Sequence, residues 1–194
     1  MDTKDRTSFI VRTGMIAATY AALTLLCLTL LQGLAWGPIQ LRLSEVACVL
    51  AICTPAGVPG LAIGCFLANL IGIALTGSGA LGMLDVLFGT LATLLGALWM
   101  RHFRKREALA LLGPVLTNAL IVPAYLPLIL AAFGFYTIPF TDITLVGSYP
   151  LMYLFGFVAI GLGEALVLYG LGWPLLRALR RTRLFGDRKS EPLG

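Results

Sequence analysis

Arg101-His102-Phe103-Arg104-Lys105-Arg106 is the one basic run inside the body of this chain, and its reading decides the fold. Thirteen of the fourteen Lys and Arg residues lie there, at the N-terminus (Lys4, Arg6, Arg12) or in the tail from Arg177 to Lys189. The stretches between these clusters are apolar. Cytoplasmic loops of membrane proteins collect Lys and Arg, so the three clusters mark one side of a bilayer. The fourteenth cation, Arg42, cannot share that side. It stands in Trp36-Gly-Pro-Ile-Gln-Leu-Arg-Leu-Ser-Glu45, beside an amide and a carboxylate.

Composition supports the same class. Of 194 residues, 59% are hydrophobic and 12% charged, and the mean hydropathy is +0.93. A globular domain has about 45–50% apolar and about 25% charged residues. Because the apolar excess comes in long blocks without period-2 alternation, the chain reads as an all-α integral membrane protein and not as a soluble core or a barrel. The net charge of +5 follows from orientation signals beside apolar spans, so nucleic acid is not expected as a partner. Cys27, Cys48, Cys53 and Cys65 lie in apolar segments without CxxC spacing and read as packing residues. Lys4, Arg6 and Arg12 precede an apolar run longer than the h-region of about 7–15 residues in a secretory signal, so that run is the first membrane helix.

Five apolar blocks are long enough to span: Phe9–Gln32, Val58–Leu75, Ala80–Met100, Ala108–Phe133 and Val146–Gly172. Leu43–Thr54 is too short by length alone, since twelve helical residues rise about 18 Å against a hydrocarbon core of about 30 Å. Topology nevertheless requires it to cross. With the N-terminus inside, the first helix ends outside near Trp36. The basic run must be inside, so the helix after Pro55 must start inside. Six transmembrane helices with both termini cytoplasmic follow, in one membrane domain: a six-helix bundle over about residues 9–172 and a basic cytoplasmic tail over 173–194. Pro114, Pro123 and Pro127 should kink or break the fifth helix. The aromatic loop Gly134–Gly147 falls outside, where it would cap a pocket.

Sorting the polar residues by side gathers a candidate ligand site in the outer half: Trp36, Gln40, Arg42, Glu45, Asn69, Asp85, Asn118, Tyr125 and Tyr149. Ionisable groups at membrane depth are costly, which makes them functional candidates. Each has a plainer reading. Arg42 and Glu45, three apart, form a surface ion pair; Asp85 is a helix-start charge favoured by the dipole; Asn69 and Asn118 are interhelical hydrogen-bond glue. Glu164 lies deep in the sixth helix, either packed against polar backbone or meeting a partner. Gly14, Ala18 and Ala22 form a smooth stripe on the first helix, for packing inside the bundle or for docking a partner helix.

Several motifs fail. Gly77-Ser-Gly-Ala-Leu-Gly82 matches G-x-G-x-x-G but follows no strand, and no P-loop is present, so the chain binds no nucleotide that way. The single His102 stands far from any outer nucleophile or carboxylate, which leaves a hydrolase without its parts. No enzyme, metal or cofactor is expected.

The blocks Gly37-Pro-Ile-Gln-Leu-Arg-Leu-Ser-Glu45, Gly64-Cys-Phe-Leu-Ala-Asn69, Gly82-Met-Leu-Asp-Val-Leu-Phe-Gly-Thr-Leu-Ala-Thr93 and Gly163-Glu164 resemble the QueT family. These are S components, the substrate-binding subunits of energy-coupling factor (ECF) transporters, assigned to queuosine precursors. The resemblance implies six helices, an outward-opening pocket, and partners consisting of a transmembrane coupling subunit and two ATPases. It further implies docking of the coupling subunit at Gly14, Ala18 and Ala22, and vitamin-type uptake across a prokaryotic plasma membrane. One position departs from the pattern: many relatives carry a glutamate where this chain has Tyr125, and if that carboxylate meets a cationic precursor, this chain is expected to prefer a neutral one or another ligand. Independently of family, a 7-deazaguanine suits the cluster. Its N–H edge fits Glu45 or Asp85, its carbonyl and ring nitrogens fit Arg42, Gln40 or Asn69, and its face fits Trp36. The competing expectations are an S component for another vitamin, such as a cobalamin-like corrinoid, and a non-transporting membrane scaffold.

Overall fold

A computed structural model describes residues 3–30, 42–132 and 149–182. Among them there is no strand, and five helices are long and apolar enough to cross a membrane. They are α1 (Thr3–Leu30), α3 (Gly57–Thr76), α4 (Gly79–His102), α5 (Glu107–Ala132) and α6 (Tyr149–Arg181). A shorter apolar helix, α2 (Leu43–Cys53), lies between α1 and α3. The chain is therefore a multi-pass helical membrane protein. Its large exposed side chains, among them Leu67, Leu70 and Ile71 on α3, Leu91 and Leu95 on α4 and Leu154, Val158 and Leu162 on α6, are hydrophobic. Such a surface suits lipid and not water.

The pairing of α1 with α3 sets the topology. Cβ atoms built on Gly60 and Gly64 would lie 2.9 Å from the Thr13 carbonyl and 2.7 Å from the Ala17 carbonyl, and one on Gly72 would lie 3.7 Å from Leu28. The paired positions rise together, so the two helices run parallel. The chain between Leu30 and Gly57 must then return along the bundle, and α2 is the described part of that return. At its far end the Ile52 carbonyl accepts a hydrogen bond from Arg101 Nη1 at 3.3 Å, which puts the end of α2 level with the basic run.

The shortness of α2 has a physical reason. Ser44, Glu45, Ala47, Cys48, Val49, Ala51 and Ile52 are buried, among Leu61, Cys65, Met100, Leu111, Leu168 and Leu176, and only the face of Leu43, Val46, Leu50 and Cys53 is exposed or half-buried. A helix sheathed by protein need not match the hydrocarbon thickness that lipid-facing helices must match. It is also stretched. Leu43–Val49 form a 3₁₀ helix, which rises about 2.0 Å per residue against about 1.5 Å in an α-helix. The described segment therefore covers about 20 Å.

α5 is not broken. Glu107–Ala132 run as one helix with Pro114, Pro123 and Pro127 inside it, so of the expected kink or break the break does not occur. Neighbours supply donors to its carbonyls: Tyr153 donates to the Leu120 oxygen at 3.1 Å and Tyr149 to the Ala124 oxygen at 2.7 Å. Two prolines also pack against glycines, Pro114 on Gly96 and Pro123 on Gly156. At the basic end, Glu107 accepts hydrogen bonds from Trp173 Nε1 (2.7 Å) and from Arg180, fastening the end of α6 to the start of α5. The four cysteines are free thiols, as their spacing indicated. The capping loop read over 134–147 lies outside the described residues.

The parallel contact yields a pair of opposite expectations. Gly64→Ala should destabilise the detergent-solubilised protein by about 1–3 kcal/mol, the usual cost of overpacking, because the new methyl would meet backbone. Gly14→Ala should leave the midpoint of thermal unfolding unchanged or slightly raised, since nothing lies within 4 Å of that Cβ. Equal behaviour of the two variants would refute the close approach.

Candidate functional site

α2 carries Glu45 into the bundle, where the carboxylate is fully buried. Its Oε1 accepts a hydrogen bond of 2.5 Å from the Tyr20 hydroxyl on α1, and its Oε2 one of 2.9 Å from the Cys48 thiol. Three residues earlier on the 3₁₀ spiral stands Arg42, part-buried. Among the described residues no direct ion pair joins Arg42 to Glu45, so the plain surface pair does not describe them. Arg42 instead lies within electrostatic reach of Tyr20, Glu45, Cys65 and Asp85.

Asp85 comes from the opposite wall. Residues Asp85–Gly89 form a π-helical turn within α4, an irregularity that recurs at functional sites because the wider turn redirects side chains. The Asp85 Oδ1 accepts a 2.6 Å hydrogen bond from the Tyr125 hydroxyl on α5. Its backbone carbonyl accepts one of 2.9 Å from Asn69 Nδ2 on α3. Gly89 permits the gathering: a Cβ there would lie 3.1 Å from Asn69 Nδ2, 3.6 Å from the Tyr125 oxygen and 3.9 Å from Asp85 Oδ1. Phe88 stacks on the Tyr125 ring with centroids 5.7 Å apart. One turn toward the basic end, Cys65 accepts from the Thr93 hydroxyl at 3.3 Å.

Asn69, Asp85 and Tyr125 thus form one hydrogen-bonded group, with Arg42 within electrostatic reach of Asp85. Asn118 is fully buried on the same face of α5 as Val122 and Tyr125, and neither end of its amide has a hydrogen-bond partner. Tyr149 stands apart; its ring is half-exposed and its hydroxyl is engaged by the Ala124 carbonyl. Trp36 and Gln40 lie outside the described residues. Gly14, Ala18 and Ala22 are all exposed, while Ile16, Ala17 and Tyr20 face inward. Sequence reasoning missed Tyr20, Gly89, Cys65 and Thr93. Tyr20 was the findable one, a hydroxyl within an apolar helix on the stripe that carries Ile16 and Ala17.

A charged and amide-rich interior inside a multi-pass helical bundle, with no strand among the described residues, defines a membrane protein with an internal polar cluster. The QueT transporter family model matches residues 10–181, and the chain belongs to that family, a family of transporters and not a class of enzymes. No curated protein and no solved structure matches the chain.

The Tyr20–Glu45 bond spans two helices in a dry interior, where leaving a charged acceptor short of a donor costs about 1–3 kcal/mol or more. Tyr20→Phe should lower thermal stability accordingly, whereas Tyr149→Phe, at a half-exposed ring, should cost under about 1 kcal/mol. Thermal unfolding of both variants in the same detergent checks the ranking.

Proposed function

We propose that this protein is the S component of an ECF-type importer and captures a queuosine precursor, a 7-deazaguanine-like nucleobase, at its outer face. In this reading six helices cross the plasma membrane of a prokaryote, α2 being the second, with both ends of the chain in the cytoplasm. Residues 9–172 make one membrane domain and 173–194 a basic tail, the last helix running on to Arg181. A transmembrane coupling subunit and two ATPases supply the energy.

The observation that carries the reading is the arrangement of Arg42 and Glu45 opposite the Asn69–Asp85–Tyr125 group. A flat heterocycle with adjacent N–H donors and a carbonyl needs carboxylates on one edge and a cation or amide on another. Charges that lie within electrostatic reach but do not pair directly suit a ligand placed between them. The scaffold alternative requires Arg42 and Glu45 to satisfy each other, and their lack of a direct ion pair speaks against it. Tyr125 donates to Asp85, which favours Asp85 as the ligand's reader in that group. Trp36, Gln40 and Asn118 complete the proposed site. The outward-facing Gly14–Ala18–Ala22 stripe supports a helix-docking role for that face, since small residues let backbones approach closely in lipid.

Two measurements on the same variants test this. Arg42→Ala and Glu45→Gln should lose about tenfold or more in calorimetric affinity for 7-deazaguanine while still inserting and purifying. Ala18→Leu should keep that affinity and lose ATP-dependent uptake in vesicles carrying the coupling module. Unchanged affinity in both site variants would reduce Arg42 and Glu45 to structural residues, and unaffected uptake by Ala18→Leu would move the docking face elsewhere.

A further inference from the structure

The turn between α4 and α5 carries the run Arg101-His102-Phe103-Arg104-Lys105-Arg106, and its shape is fixed. The Phe103 amide donates to the Trp99 carbonyl at 2.9 Å, the Arg106 amide to the Phe103 carbonyl at 2.8 Å and the Ala110 amide to the Arg106 carbonyl at 2.9 Å. Trp99 packs on Phe103 with ring centroids 4.8 Å apart, and its Nε1 donates to the Leu109 carbonyl at 2.8 Å. From α6, Arg180 Nη2 donates to the Arg104 carbonyl at 3.2 Å. The cations of the turn therefore project from a preorganised backbone.

The turn lines an open groove of about 600 Å³, with Leu98 and Phe103 as its apolar part and the basic side chains around them. That volume falls within the roughly 300–1,000 Å³ of small-molecule clefts. Arg104, Lys105 and Arg106 are exposed, and among the described residues no carboxylate pairs with them. Glu107, the acid that follows, is taken by Arg180 and Trp173. Arg177, stacked over the Trp173 ring at 4.8 Å from its centroid, extends the positive field at this end of the bundle. Like charges gathered without an acid repel one another, and a bound anion relieves that repulsion.

The surface beside the groove says what kind of anion fits. Leu91, Leu95 and Leu98 recur on α4 at i, i+4 and i+7, and all three are exposed. Leu98 also lines the groove, so an apolar track leads from the cations along the lipid-facing side of α4. Basic residues that served only to orient the chain would need neither groove nor track. An acidic protein would meet the cations and leave the leucines unused. A molecule with an anionic head and a hydrocarbon chain uses both.

We propose that this groove binds the headgroup of an anionic phospholipid, with an acyl chain lying along Leu91, Leu95 and Leu98. Phosphodiester oxygens accept charge-assisted hydrogen bonds from Arg104, Lys105 and Arg106. The lipid would fasten the α4–α5 turn to its leaflet. This surface stands apart from the interior polar cluster and does not depend on which ligand that cluster takes.

Native mass spectrometry of delipidated protein in neutral detergent tests this, by titration with dioleoylphosphatidylglycerol or dioleoylphosphatidylcholine. At physiological ionic strength, exposed charges beyond about 8 Å are screened, so a preference reports close contact. The natural protein should bind the glycerol lipid about tenfold or more tightly than the choline lipid. The triple variant Arg104→Gln, Lys105→Gln, Arg106→Gln should lose that preference and keep its choline-lipid binding, which also shows that it folds. The triple variant Lys4→Gln, Arg6→Gln, Arg12→Gln removes as much charge and should keep the preference. Lys105→Glu alone, at an exposed position, should lower it several-fold and serves if the first triple variant does not fold. Inorganic phosphate at millimolar concentration should not displace the glycerol lipid. Three results would overturn the inference: no preference in the natural protein, as for a surface that meets only an acidic protein; equal loss in the two triple variants, as for diffuse charge; or displacement by phosphate, as for a free-anion site.

Discussion

The close, parallel approach of α1 and α3 is the constraint on which the rest of this structure depends. Gly60 and Gly64 bring the two backbones together, and helices that run the same way leave the chain at the wrong end of the bundle. Residues 31–56 must bring it back. Its described part packs most of its faces against protein. A segment largely walled in escapes the length rule for lipid-facing helices and can carry polar groups. The return segment is accordingly the one that bears Arg42 and Glu45.

Once charge is inside, compensation dictates the local chemistry. Glu45 draws a phenol from α1 and a thiol from its own spiral, Asp85 draws a phenol from α5, and Asn69 reaches across to the Asp85 carbonyl. These bonds join five helices in two interior groups, α1 with α2 at Glu45 and α3 and α5 with α4 at Asp85. The backbone yields where they need it: a 3₁₀ stretch under Arg42 and Glu45, a π turn at Asp85 and another beyond Glu164. Regular α-helix would rotate at least one of these side chains out of the interior. The irregularities and the polar residues thus share a cause.

Much of this was legible from residue order because membrane helices obey a strong length rule. The five long spans fall where the apolar blocks put them. Parity, which demanded a return through Leu43–Thr54, agrees with the parallel α1 and α3. What could not be read was conformation inside a buried segment. A 3₁₀ spiral has no signature in Leu43-Ser-Glu-Val-Ala-Cys-Val49, since seven residues are too few to tell its spacing from that of an α-helix. Of the kink or break expected from Pro114, Pro123 and Pro127 the break does not occur, and no local reading connects α5 to the α6 tyrosines that donate to its Leu120 and Ala124 carbonyls. Residue order grouped Arg42, Glu45, Asn69, Asp85 and Tyr125 by side, and hydrogen bonds join the last three of them. The role of Gly89 depends on a close approach that only three dimensions reveal, and Tyr149 was grouped by depth although its ring points away.

The central claim is that this interior holds a nucleobase-like ligand between Arg42 and the Asp85 wall. Mass spectrometry of small molecules released by denaturing protein purified from its producing cells tests it most directly. The account predicts a 7-deazaguanine-type compound in near-stoichiometric amount from the natural protein and its absence from Arg42→Ala purified in parallel. Release of an unrelated molecule, or of the same compound in equal amount from both proteins, would contradict it.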